Sequence, residues 1–394
     1  MSLVAEKLPE SPPTSAKPRS SKLRQGLFCV WHGLNRAGWR KLQREAGPFP
    51  ARNRLRRWSI SAISLSNSWH EFWEEQFFGG RIDKTVIEHP PLFVLGHWRS
   101  GTTLLHNLLT LDPQVTFPTL YQVMFSGHFL LTERITTALT SWAIPKTRPM
   151  DNIPVGWGMS QEDEVALQLR TQLSPYMMLA YQGLREKYDR FFDLTELSPA
   201  EIDLWKHEFL RFLQKLTIRA NRPIVLKSPS HTYRVPLLLE MFPQAKFVYI
   251  HRDPYAVYNS SVHLRQTIFT DNALGEPNFV GLEEDALVTY ERCIQRYEST
   301  KHLIPAGQLH EMRFADLEAD PVAEMRQLYE RLQLRGWDNV EPAIRRQMPE
   351  HAQYRKNRFS MDPATMRRVY DRLKFAFDLY GYDSGLPDGN ADAA

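Results

Sequence analysis

Hydrophobic spacing changes several times along the chain, and those changes divide it. Residues 1–26 are rich in Pro, Ser and Lys and predict a disordered tail. From residue 27 to about 89 the apolar positions recur at helical intervals, which predicts a helical N-terminal extension. At residue 90 the pattern tightens. Leu92-Phe93-Val94-Leu95 is short and apolar enough for a buried strand, and Leu104, Leu105, Leu108 and Leu109 then return to helical spacing. Further strands are expected at Val115-Thr116-Phe117, at Ile224-Val225-Leu226 running into Lys227, and at Phe247-Val248-Tyr249-Ile250. Amphipathic helices are expected over residues 121–144 (one or two of them), 199–220, 283–303, 322–334 and 364–379. Ser198-Pro199-Ala200-Glu201 is a capping box with proline at the first helical position. Short strands set among helices predict an α/β domain over 90–383, and 384–394 reads as a second tail.

Within the extension, Arg52, Arg54, Arg56 and Arg57 lead into a stripe containing Trp58, Trp69, Phe72, Trp73, Phe77 and Phe78. Such a helix either docks on a membrane surface or packs on the main domain. Packing is the preferred expectation, because helical aromatic stripes usually face a core.

The chemistry concentrates at the turn after the first strand. Gly96 and Gly101 bracket it, Thr102 and Thr103 open the following helix, and this geometry aims backbone N–H groups and a helix N-terminus at one anion. The glycine spacing fits a P-loop, but Thr102 stands where a nucleoside-triphosphate site carries lysine. The cation is Arg99 instead, with Ser100, Thr102 and Thr103 offering hydroxyls; an arginine there holds two oxygens of one phosphate. Lys227 ends the second apolar strand, where an α/β fold presents its ligand site. Arg252 follows the next strand and Ser260 lies eight residues on, two turns into a helix, bringing a guanidinium and a hydroxyl to one anion.

Glu162-Asp163-Glu164 opens a helix. The acids favour the macrodipole there, and one of Glu162 or Glu164 is the candidate general base. Two residues apart, they point about 200° from each other and cannot share one cleft. His128 and His231 are lesser base candidates, and Tyr176 belongs to an aromatic-dense stretch that suits an acceptor pocket or simple packing.

The Arg99-Ser100-Gly101-Thr102-Thr103 loop resembles the 5′-phosphosulfate loop of sulfotransferases that use 3′-phosphoadenosine 5′-phosphosulfate (PAPS). It is most similar to the arginine-bearing branch that includes tyrosylprotein sulfotransferases and many bacterial relatives. Arg252 with Ser260 resembles that family's 3′-phosphate pair, and Lys227-Ser228-Pro229 its Lys-x-Pro strand end. The resemblance covers about residues 90–380. It implies a three-layer fold, a parallel sheet flanked by helices with phosphate loops at the strands' carboxyl ends. It implies sulfuryl transfer from PAPS, as co-substrate, to a hydroxyl, without a metal, and with Arg99 and Lys227 neutralising charge at the reacting group. It also implies a late strand and turn near 309–321, and a basic loop in which Arg355, Lys356 and Arg358 close the 3′-phosphate site. One departure stands out. Tyrosylprotein sulfotransferases place their base glutamate just after the second strand, and residues 117–123 here contain no carboxylate.

Bulk properties narrow the rest. The 394 residues carry a net charge of +4, 42% hydrophobic and 24% charged residues, which suits a globular protein with an anionic ligand and is too diffuse for nucleic acid. Two cysteines, Cys29 and Cys293, make neither a disulfide framework nor a zinc site, so a cytoplasmic location is the default. No apolar run reaches the roughly 18 residues of a spanning helix, and peripheral membrane contact through the N-terminal or 121–145 helices stays open. Hydroxylated lipid, carbohydrate and tyrosyl peptide all remain as acceptors, the aromatic-rich region 121–192 leaning to the first two. The rivals are a P-loop kinase of a small alcohol and a non-catalytic, membrane-associated nucleotide-binding protein.

Overall fold

The apolar runs assemble side by side. A computed structural model describes residues 28–45, 49–143, 156–353 and 361–386. Ahead of the sheet lie α1 (Arg36–Glu45) and α2 (Arg54–Lys84). β1 (Leu92–Leu95) runs into α3 (Thr102–Leu109). Then α4 (Leu120–Met124), α5 (Phe129–Thr140), α6 (Glu164–Thr171), α7 (Arg185–Asp189) and α8 (Pro199–Arg219) precede β2 (Val225–Lys227). α9 (Val235–Met241) leads to β3 (Lys246–His251), and α10 (Pro254–Asn272) and α11 (Leu282–Thr300) lead to β4 (Leu309–Arg313). The chain closes with α12 (Phe314–Ala319), α13 (Pro321–Arg331), α14 (Trp337–Gln353) and α15 (Pro363–Tyr380).

The four strands form one parallel sheet in the order β2-β1-β3-β4. Both faces are covered, which is why its central strands read as unbroken apolar runs rather than alternating ones. Phe93, Leu95, Phe247 and Tyr249 point into a core shared with Trp205 and Phe209 of α8. Their neighbours Leu92, Val94, Val248 and Ile250 point the other way, onto Leu105 and Leu108 of α3 and Leu328 of α13. This is the three-layer arrangement. The strand order reverses between β1 and β3, and open α/β sheets bind ligands in the crevice at that point.

One expected strand does not form. Val115-Thr116-Phe117 makes a single bridge, Thr116 to Ile224, and goes no further because Pro118 has no N–H to continue a ladder. The tail expected at 1–26 lies outside the described residues, as do residues 387–394 of the one expected at 384–394; the described Ser384 accepts the Tyr255 hydroxyl at its carbonyl (2.8 Å).

The N-terminal extension is helical and is built into the main core, but not through its aromatic stripe. α2 buries Ile60, Ser64, Asn67, Glu74 and Ile82. Asn67 donates to the carbonyls of His32 (2.8 Å) and Leu34 (2.9 Å). Glu74 forms an almost fully buried ion pair with Lys215 of α8. Trp31 and Trp39, ahead of α2, sit in the core and donate their indole N–H groups to Asn272 O (2.7 Å) and Ser61 Oγ (2.8 Å). Trp58, Trp69, Phe72 and Phe77 are exposed, so the expectation that the stripe faces the core is corrected: of the stripe, Phe78 packs against the core, and the inner face is held by Ile60 and Ile82 with Ser64, Asn67 and Glu74.

Candidate active site

The turn between β1 and α3 is shaped by three residues in left-handed backbone conformations, Gly96 (φ 141°), Arg99 (φ 72°) and Gly101 (φ 108°). The glycines are needed twice over. A Cβ on Gly96 would stand 2.6 Å from Ile250 O, and one on Gly101 would stand 2.2 Å from the Phe314 ring. Gly96 N–H donates to Thr232 Oγ1 (2.8 Å), tying the loop to the segment after β2. Ser100 is buried and its hydroxyl donates to His97 O (2.8 Å), so this side chain braces the loop from within. Thr102 and Thr103 open α3 beside the cavity described below.

Arg252 leaves the end of β3, which lies against β1 through the register Leu95–Tyr249. Asp253 caps α10, its Oδ1 accepting the Ala256 N–H (2.8 Å), and Pro254 occupies the first turn. This fixes the helix that carries Ser260. The two clusters singled out in the sequence touch: Arg99 Nε donates to Ser260 Oγ (2.7 Å), and Arg252 Nη1 donates to Arg99 O (3.2 Å). Arg252 also stacks over Phe314, 4.3 Å from its centroid. Phe314, the first residue of α12, thus contacts both halves. Its sequence context suggested only a strand end.

The acidic cluster splits, but not as a helical pair: α6 begins at Glu164 with Asp163 at its N-cap, and Glu162 lies in the segment before it. Glu162 faces the cavity, where Lys227 Nζ donates to Oε1 (2.6 Å) and the Tyr176 hydroxyl donates to Oε2. Trp98, next to Arg99 in the loop, donates its indole N–H to the same Tyr176 hydroxyl (3.0 Å). Burial, with the Glu162 charge adding to it, pushes the Tyr176 phenol well up, so it remains protonated as a donor. Glu164 turns away from the cavity. It is fully buried in a bidentate pair with Arg234 (2.6 and 3.0 Å), and Arg234 also donates to the carbonyls of Phe191 (2.8 Å) and Phe192 (2.9 Å). That contact withdraws Glu164 from the catalytic candidates. Asp163 and His231 pair at 2.6 Å with no exposure. His128 lies between α2 and α5, bonded to Thr132 (2.9 Å) and Asn67 (3.2 Å), and is no part of the cavity wall. Arg355, Lys356 and Arg358 fall outside the described residues.

One cavity of about 1620 Å³ unites these groups. That exceeds the roughly 300–1,000 Å³ of an ordinary small-molecule site and has room for two substrates. Arg99, Thr102, Arg252 and Ser260 line its cationic and hydroxyl-bearing side, and Met361 and Met366 also line it. The other wall is apolar, with Phe28, Val30, Leu120, Met124, Leu179 and Ile268. Glu162, with Trp98 and Tyr176, connects the two. Tyr176 and Trp98 gain their role from this contact, and the sequence signalled it only as local aromatic density.

The chain is 34% identical over 378 residues to omega-hydroxy-beta-dihydromenaquinone-9 sulfotransferase Stf3 of Mycobacterium bovis, spanning 94% of this chain and 95% of that protein. The Stf3 of Mycobacterium tuberculosis matches equally. Among solved structures, sulfotransferase STF9 from Mycobacterium avium superposes with a TM-score of 0.65 at 18% identity, covering 89% of this chain and 93% of that one. STF1 from M. tuberculosis H37Rv gives 0.54 at 17%, covering 88% and 93%. The family model described as the sulfotransferase family matches residues 90–339, beginning at the strand that carries the phosphate loop and ending beyond β4. With more than half its length under that model and the Arg99 loop joined to Arg252 and Ser260 at the switch point of the sheet, the chain belongs to the sulfotransferase family.

Proposed function

We propose that this sulfotransferase takes PAPS as donor and a long, apolar lipid alcohol as acceptor, a hydroxylated isoprenoid quinone of the kind named for the Stf3 relatives. The observation that carries this reading is the position of Glu162: one cavity holds this carboxylate, the anion-binding arginines and an extended apolar wall. The phosphate side suits the donor. Two glycines let the loop fold tightly against Ile250 and Phe314, and two guanidiniums with a serine hydroxyl stand within reach of one nucleotide.

PAPS, when bound, supplies an activated sulfuryl group on a phosphate leaving group. Arg252 and Ser260 hold the 3′-phosphate, and the loop N–H groups with Thr102 and Thr103 hold the 5′ end. Arg99 and Lys227 neutralise charge on the reacting and departing oxygens. Glu162 accepts the acceptor's hydroxyl proton as the new O–S bond forms and the S–O bond to the phosphate breaks, releasing the nucleotide 3′,5′-bisphosphate. Positioning and electrostatics supply most of the rate, as in phosphoryl transfer. Glu162 offers the cavity a carboxylate that residues 117–123 lack, which weakens the case for a non-catalytic role. The kinase reading is not favoured, since Thr102 stands in place of the P-loop lysine.

The test is transfer from ³⁵S-labelled PAPS to three acceptors: an ω-hydroxylated menaquinone in detergent, a simple sugar and a tyrosyl peptide. The expected result is a sulfated quinone at kcat/KM about a hundredfold or more above the other two, as a matched apolar wall allows. Preference for the peptide or sugar would overturn the acceptor assignment. Thermal stabilisation by ATP–Mg²⁺ and not by PAPS would overturn the donor.

A further inference from the structure

Along α2, Leu55, Trp58, Leu65, Trp69 and Phe72 recur every three, four or seven residues, and all are exposed, Trp58 by 69% and Trp69 by 61%. Trp69, Phe72 and Phe77 each meet the half-buried Trp73 ring at 5.4–5.7 Å, so the stripe continues past Leu65 as a joined aromatic patch. α5 packs beside α2, with His70 and His128 rings 5.2 Å apart, and beyond that contact α5 and the turn after it leave Ile135, Leu139 and Trp142 in solvent, Trp142 by 85%. Soluble proteins seldom expose apolar surface on this scale without a partner for it.

Two further observations identify the partner. The surface adjoins the cavity: Thr140, at the end of α5, accepts the Trp157 indole N–H (2.8 Å), and the Trp157 ring packs edge-on against Phe28. Phe28 lines the apolar wall, as does Met159, and both are exposed at its edge. Cations frame the stripe, too. Arg54 and Arg57 at the start of α2, Arg81 and Lys84 at its end and Arg134 on α5 are exposed, while the acids Glu75 and Asp83 are engaged by Arg211. Tryptophan and phenylalanine flanked by arginine and lysine is the composition of helices that lie in a lipid interface.

We infer that the outer face of α2 and the end of α5 seat this protein on an anionic phospholipid membrane, and that the acceptor passes from the lipid into the cavity past Phe28 and Met159. This rests on the proposed lipid acceptor for its purpose, not for its measurement. The full-length protein is floated with vesicles of phosphatidylcholine plus phosphatidylglycerol, and with phosphatidylcholine alone, in the absence of PAPS and acceptor. Wild-type protein is expected on the mixed vesicles, with salt weakening the binding. The triple variant Trp58→Ser, Trp69→Ser, Phe72→Ser is expected to lose about tenfold or more in vesicle affinity. It should retain the wild-type unfolding temperature and the wild-type rate on a short water-soluble alcohol. Failure of wild-type protein to float would overturn the inference, as would equal floating of the triple variant. So would a dimer in sedimentation that the triple variant dissolves and vesicles do not compete away. Because no acceptor is present, a wrong acceptor assignment leaves the vesicle result untouched.

Discussion

Glu162 is the base we propose, and its two oxygens are already engaged, one by Lys227 and one by Tyr176. Glu162→Gln keeps the shape and removes the base. It is expected to lower kcat by about 10²–10³-fold with donor affinity nearly unchanged, measured by steady-state kinetics with PAPS titration. Tyr176→Phe keeps the ring and removes the hydroxyl that links Trp98 to Glu162. A fall in kcat of about tenfold with little change in KM for PAPS is expected, because the base loses its orientation and keeps its charge. Gly101→Ala meets both a left-handed backbone and the Phe314 ring. That variant should lose PAPS affinity by about tenfold or more in calorimetry and unfold at lower temperature.

The elements that carry these residues are held by buried charge. Glu164 starts α6 and pairs with Arg234 ahead of α9, which also binds two carbonyls in the segment after α7. Since Glu162 lies two residues before Glu164, this pair sets the direction from which the base enters the cavity. Arg234→Met strands a buried carboxylate and two carbonyls, and the expected cost is about 3–5 kcal/mol of stability, read from denaturant unfolding. Whatever protein remains folded should bind PAPS normally, because no phosphate-binding residue is touched. The pair of Glu74 and Lys215 does for α2 what Arg234 does for α6, joining the N-terminal extension to α8.

Across the molecule, stability depends on keeping imidazoles neutral. Burial is the main cause holding His97, His106 and His128 down to about 3. In the unfolded chain the same groups protonate near 6.5. Between those values the unfolded state binds more protons, so stability falls as the pH falls from about 6.5 toward 3. Each of the three is expected to cost about 1–2 kcal/mol between pH 7 and 5. Glu74 and Asp253, whose carboxyls burial raises, offset part of this. A melting temperature that drops steeply below pH 6 is the expected observation, and His128→Asn should flatten the slope without altering kcat, since His128 lies outside the cavity.

Local rules carried the reading of the loops and the sheet. A strand, a glycine-bracketed turn and a helix start are consecutive in the chain, as are β3, Arg252, the Asp253-Pro254 cap and Ser260, so their geometry follows from backbone conformation and short-range hydrogen bonds. Two-sided burial of a parallel sheet made its strands legible as apolar runs. Glu162 and Glu164 do part as expected, but because α6 starts at Glu164 and leaves Glu162 in the preceding segment, not through helical spacing. What stayed hidden depended on contacts between distant segments. Which glutamate meets the cavity was settled by Arg234, 70 residues away, and the role of Tyr176 by Trp98, 78 residues away. The orientation of α2 was settled by Asn67 and Glu74, whose burial no hydropathy pattern anticipates because it depends on partners in other elements. Spacing along a helix assigns faces to side chains; only the packing of one element on another decides which face meets the core, the substrate or the solvent.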